Sequence, residues 1–207
     1  MLDAHRFFIF LIAALILAAT PGPGIFYVLA RTVAGGRREG ILSSLGTFAG
    51  GMFHVLAAAI GISTILAASA VAFRTVKYAG AAYLIFLGIR MIRTRNAELP
   101  VETFAPSHHA FGQGIITEVL NPKTALFFLS FIPQFISPRL GHIFLQFLIL
   151  GTVSVALNTS ADLLVVSLAA RIARKLKSSA TFHRRQRIAS GFGMIGLGAY
   201  VALSDTK

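Results

Sequence analysis

Long apolar runs separated by short basic clusters dominate this chain. Charge-poor stretches fall at about 7–29, 41–66, 71–92, 112–136, 143–169 and 188–204. Roughly 20 apolar residues cross a bilayer's hydrocarbon core as an α-helix. The pattern therefore predicts an all-α membrane protein with six transmembrane helices, forming one domain over residues 1–207. The third run carries Arg74 and Lys77 in its first turns, where long stems are expected to snorkel to the interface. The main polar connection is Thr94–Gln113, with Pro100, Pro106 and the pair His108–His109. A cleaved secretory signal is not expected. Asp3 spoils a basic leader, and the first apolar run continues through Pro21-Gly22-Pro23-Gly24 into Ile25–Ala30.

Composition supports the membrane reading. The 207 residues are 56% hydrophobic and only 13% charged, against about 25% charged in a typical soluble chain. With no cysteine, a disulfide scaffold, a thiol nucleophile and a cysteine-ligated cluster are all excluded. The net charge of +12 looks at first like nucleic-acid binding, so its placement matters. Arg31, Arg37 and Arg38 follow the first run, and Arg90, Arg93 and Arg95 the third; seven more lie between Arg171 and Arg187. Thirteen of the 19 basic residues thus fall on one side, with Arg6, Arg74, Lys77, Arg139 and Lys207 on the other and Lys123 inside a span. Lys and Arg concentrate in cytoplasmic loops, so both termini are expected outside the cytoplasm. The run 171–187 lacks aromatic interleaving beyond Phe182 and lies between two spans. Contact with membrane lipid headgroups explains it, and no nucleic-acid partner is expected.

The two halves resemble each other. Pro21–Gly24 interrupts the first helix and Asn121-Pro122 the fourth, and each half ends in a Gly-studded helix with Leu-Gly at 87–88 and 197–198. Three helices per half is odd, so the second half must enter from the opposite side. A 3+3 inverted repeat with breaks in corresponding helices is a signature of secondary transporters. Most glycines, such as the Gly46/Gly50 pair, have a plainer use in close helix packing.

Ionisable groups inside a span are costly and usually face the bundle interior. Four occur here: His54, Glu118, Lys123 and Asp162. His54 and Lys123 fall near the midplane, while Glu118 and Asp162 lie roughly 9 Å toward the cytoplasm at ~1.5 Å per residue, level with the Pro-Gly break. Ser154, Asn158 and Asp162 share one helical face, as do Thr47, Gly51, His54 and Ala58. A helix break frees backbone N–H and C=O groups that lipid cannot satisfy, and a zwitterion offers a carboxylate to the first and an ammonium to the second. Plainer roles stay open: Lys123 paired with Glu118 or Asp162 as a buried lock, His54 bonded to a backbone carbonyl, Glu118 as a rim charge. No HExxH, GxSxG or clustered metal-ligand set occurs within the spans, so neither enzyme chemistry nor a metal or cofactor is expected.

The motifs together resemble the LysE/RhtB amino-acid exporters. Ala19-Thr20-Pro21-Gly22-Pro23-Gly24 is similar to the family's PGP element; Lys77-Tyr78-Ala79-Gly80-Ala81-Ala82-Tyr83-Leu84, Asn121-Pro122-Lys123-Thr124-Ala125 and Pro133-Gln134-Phe135 follow in the family's order. The resemblance implies a bacterial inner-membrane exporter of amino acids or their derivatives, of homoserine, threonine, leucine-like or basic type, driven by proton antiport. His54 matches a histidine of the family's second helix. An acidic residue of the fifth helix corresponds to the Asn158–Asp162 region, whereas Glu118 stands where the family has a neutral side chain. On this reading Pro21, Gly22, Pro23, Gly24, Asn121, Pro122, Lys123 and Asn158 contact the small-molecule substrate. Asp162, Glu118 or His54 carries the proton. A passive channel or membrane scaffold is the alternative, and homo-oligomerisation stays open.

Overall fold

Proline and glycine decide where the helices stop. The computed structural model describes residues 4–68, 70–94, 109–137, 140–178 and 180–203. Among these, seven α-helices and one short 3-10 turn account for the regular structure, with no strand. They are α1 (Ala4–Ala19), α2 (Pro23–Ala68), α3 (Ala70–Arg93), α4 (Ala110–Val119), α5 (Pro122–Ser130), the 3-10 turn (Ile132–Phe135), α6 (Ile143–Ser178) and α7 (Ala180–Leu203). Pro100, Pro106 and His108 of the expected polar connection lie outside the described residues.

Both expected breaks are present. α1 ends at Ala19 and Pro23 opens α2, a position where the missing proline N–H costs nothing. α4 and α5 are separated at Leu120-Asn121 and bend by 50°. Asn121 caps α5, its side-chain oxygen accepting from the Lys123 backbone N–H at 3.1 Å.

Three details differ from the sequence reading. The segment 30–40 is not a loop: α2 continues through it, and only Gly36 leaves helical geometry, with φ 78° and ψ −173°. A side chain there would be strained, whereas glycine adopts positive φ freely. Second, Arg31 is buried at 3% exposure. Its guanidinium lies 3.8 Å from Glu39 and donates to the Gln113 side chain of α4. Third, Lys77 does not snorkel. It is 2% exposed, on the same buried stripe as Gly80, Ala81 and Leu84, with its ammonium 5.4 Å from the Tyr78 ring centroid. That stripe faces α5 so closely that a Cβ on Gly80 would strike Ser130.

Packing fixes the relative directions of the helices. On α3 and α7, Gly88 lies against the Gly191 carbonyl and Gly198 against that of Ala81; contacts that advance on one helix while receding on the other mark an antiparallel pair. Gly51 against Val155 and Gly151 against Val55 make α2 and α6 antiparallel as well. α4 runs parallel to α2, with Gly46 on Phe111 and Gly50 on Ile115 and Glu118. A core of Phe10, Phe127, Phe128, Phe131, Phe135 and Phe147 fills the centre.

The polarity of the fold is inverted relative to a soluble domain. Phe8, Phe53, Ile60, Leu164 and Phe192 are exposed, while Glu118, Lys123 and Asp162 are buried. An informative surface is one with large exposed apolar area or buried charge; this one has both. Residues 23–61 and 143–169 are each long and apolar enough to cross a membrane, and the bent pair 110–135 supplies a third candidate. The chain is a multi-pass membrane protein.

Candidate functional site

The break at 20–22 leaves the end of α1 with carbonyls that no following turn can use. Lys123 fills this need. Its ammonium donates to Leu17 O at 3.0 Å and Thr20 O at 2.6 Å, a cation placed at the negative end of a helix. Among the described residues it makes no ion pair with Glu118 or Asp162, so the lock considered from sequence is not what holds it. It is held by backbone.

Glu118, in the last turns of α4, is satisfied separately. Thr124 Oγ1 donates to one carboxylate oxygen at 2.7 Å and Asn121 Nδ2 to the other at 3.1 Å. A Cβ on Gly24 would come 2.7 Å from that second oxygen, so a larger residue there would push the Glu118 carboxylate aside. Asp162 of α6 meets Thr47 of α2, with 2.9 Å between Oδ2 and Oγ1. The same Thr47 oxygen lies 2.9 Å from Ser44 O. His54 Nε2 is 2.9 Å from the Glu118 backbone carbonyl, and the ring stacks on Phe128 at 6.3 Å.

These groups line two adjoining spaces. The smaller has a volume of 30 Å³ and is walled by Gly22, Gly24, Thr47, Glu118, Asn158 and Asp162. That is room for about one or two waters, not for an organic substrate. The larger, of 620 Å³, lies within the ~300–1,000 Å³ range of small-molecule sites. Pro21, Pro23, Pro122, Tyr83, Arg90 and Arg187 line it, beside apolar Phe26, Leu87, Met91 and Met194. Gly22, Asn121 and Lys123 belong to both walls.

The residues singled out from sequence therefore separate into two groups. Pro21, Gly22, Pro23, Asn121, Pro122 and Lys123 face the larger space, whereas Gly24, Asn158, Glu118 and Asp162 face the smaller one with Gly22, Asn121 and Lys123. His54 lines neither and contacts Glu118 through backbone. Sequence reasoning missed Thr124, Tyr83, and Arg90 and Arg187 as cavity groups. Thr124 and Tyr83 each had a signal, lying within the motifs Asn121–Ala125 and Lys77–Leu84. Among the described residues no group of three or more metal-ligating side chains forms.

Broken helices, buried charges and a substrate-sized space thus meet within one membrane bundle. Residues 15–205 match the family described as LysE type translocator, and the chain belongs to it. It is 32% identical to a leucine efflux protein of Salmonella typhimurium over 150 residues, 71% of each chain. It is 31% identical to a homoserine/homoserine lactone efflux protein of the same organism over 173 residues, 82% of this chain and 83% of the relative. A protein described as an uncharacterized membrane protein of Vibrio cholerae is 29% identical over 211 residues, covering 100% of both. No solved structure matches the chain.

Proposed function

We propose that the chain exports amino acids or amino-acid derivatives of the homoserine, threonine or leucine type across the bacterial inner membrane in exchange for protons. Membership of a translocator family and likeness to two efflux proteins support export. One observation carries the reading: a 620 Å³ space with charged and apolar walls adjoins a 30 Å³ carboxylate chamber, and Asn121 and Lys123 are common to both. The large space suits a small zwitterion with an apolar side chain; the small one suits a proton with its water. The six spans form a 3+3 inverted repeat with both termini periplasmic. This arrangement puts Arg90 and Arg187 at the cytoplasmic mouth of the large space, where substrate enters.

Asp162 carries the proton, and Thr47 responds to it. A threonine hydroxyl has one proton to donate, but Thr47 has two acceptors within reach, Ser44 O and Asp162 Oδ2. When Asp162 is protonated it donates to Thr47, and Thr47 donates to Ser44. When Asp162 is ionised, Thr47 turns and donates to the carboxylate. Glu118, which already accepts two hydrogen bonds, anchors the α4–α5 break. His54 braces Glu118's backbone. Asn158, on the Asp162 face of α6, contributes a polar contact at the chamber wall.

Reconstitution into proteoliposomes tests this reading. An imposed proton gradient should drive accumulation of radiolabelled leucine or homoserine, and an uncoupler should abolish it. Flux that only equilibrates the amino acid, with the gradient making no difference, would establish a passive channel instead.

A further inference from the structure

Lys123 spends two of its three ammonium protons on Leu17 O and Thr20 O, the carbonyls that the α1 break exposes. In broken transporter helices, carbonyls at such a half-helix C-terminus coordinate a coupling cation, and the ammonium of a substrate presents them with the same charge. Here a side chain of the protein already holds them, and that side chain borders both the substrate-sized space and the carboxylate chamber. We infer that Lys123 is a built-in competitor of the substrate: its ammonium occupies the place that the α-ammonium of an amino acid takes on binding, and substrate displaces it into the carboxylate chamber. This inference rests on the export reading above and deepens it.

Lys123 and a substrate ammonium would contest the same two carbonyls, Leu17 O and Thr20 O. Leu17 O also accepts from the Thr20 backbone N–H at 3.1 Å, and Ile16 O is taken by the Thr20 backbone N–H and hydroxyl. Ile16 O and Leu17 O are thereby each already engaged within the chain, which leaves Thr20 O, bonded here to Lys123, as the acceptor an incoming ammonium would chiefly contest. Lysine is a compact cation on a flexible four-carbon stem with rotatable donors, suited to leaving one set of acceptors for another. The alternative acceptors are the Glu118 and Asp162 carboxylates, which wall the same 30 Å³ chamber. Exchange of one ammonium for another at the carbonyls conserves charge there. In the chamber, the arriving Lys123 ammonium replaces the proton on Asp162. That proton leaves to water in the larger space, the O–H bond breaking with its electron pair retained by the carboxylate. Substrate binding and proton release are then one event.

The test uses the full chain in lipid nanodiscs, with L-leucine, L-homoserine and 4-methylpentanoate as probes; the last has leucine's skeleton without its ammonium. Wild type should release about one proton per amino acid bound and none with 4-methylpentanoate, by the reciprocity of linked equilibria. Lys123→Met, freed of its internal competitor, should bind the amino acid about tenfold more tightly and release no proton. In Lys123→Ala, ethylammonium should compete with the amino acid, and in wild type it should not. Weaker or unchanged binding by a folded, monodisperse Lys123→Met would overturn the inference. So would equal proton release by leucine and 4-methylpentanoate in wild type, a measurement that stands even if both variants misfold. A wild type that neither binds nor transports any amino acid sinks the export reading, and this inference with it.

Discussion

The two spaces at the centre of the bundle share a wall but not a chemistry. In the smaller, the charged groups are tied to neighbours by hydrogen bonds: Glu118 to Thr124 and Asn121, Asp162 to Thr47, Lys123 to Leu17 O and Thr20 O. In the larger, Phe26, Leu87, Met91 and Met194 set the shape, and Arg90 and Arg187 add charge. A chamber of 30 Å³ cannot respond to a substrate's side chain, and a space of 620 Å³ cannot control a single proton. In the proposed export cycle the two spaces would divide the labour by size. Substitutions in one space should therefore alter coupling, and those in the other selectivity.

Asp162→Asn gives the largest expected effect. Gradient-driven efflux should fall about a hundredfold, as for loss of an essential proton-transfer group, while exchange of amino acid for amino acid across the same membrane persists. Loss of both modes together would merge the two spaces into one function. Glu118→Gln should act mainly on stability. It replaces a charged acceptor of two hydrogen bonds, at a cost of about 1–3 kcal/mol, read as a lower melting temperature in detergent. Retention of the wild-type melting temperature with complete loss of coupling would instead make Glu118 the proton carrier.

Smaller effects sharpen the boundary. Gly24→Ala puts a methyl group 2.7 Å from the Glu118 carboxylate, whereas Gly22→Ala meets only the Lys123 side chain at 3.4 Å. The first should reduce transport severalfold and the second little. The reverse order would place the strained contact on the substrate side. Leu87→Ala should change the ratio of leucine to homoserine efflux and leave the proton-to-substrate ratio intact, as measured by paired flux assays. His54→Gln is the mildest, costing about 1 kcal/mol of stability for one altered hydrogen bond with coupling preserved.

The helix breaks and the meeting of distant charges were legible in the sequence because both rest on local chemistry. Pro21, Pro23 and Pro122 cannot be internal helix donors, and Glu118, Lys123 and Asp162 cannot face lipid. What could not be read was which apolar face turns inward. A helix apolar all round gives periodicity nothing to report. Lys77 thus looked like an interfacial residue but lies on the buried stripe of α3 with Gly80, Ala81 and Leu84. Arg31 looked like part of a surface cluster, yet it points back into α4 because α2 continues to Gly36 without a loop. The elbow itself had no signal. Gly35-Gly36 between basic residues reads as a flexible loop, and only the positive φ at Gly36 separates a hinge within a helix from an ordinary turn.

That elbow determines what must move together. The arm of α2 before Gly36 holds α4 through Tyr27, whose hydroxyl donates to Ala110 O at 2.6 Å, and through Arg31 to Gln113. The arm beyond it holds α4 again, through Gly46 and Gly50. α4 is gripped like a rod between two fingers of one hand. An access change that slid α4 alone would have to break the Tyr27 and Arg31 hydrogen bonds and the Gly46 and Gly50 contacts together, so α4 is tied to both arms of α2.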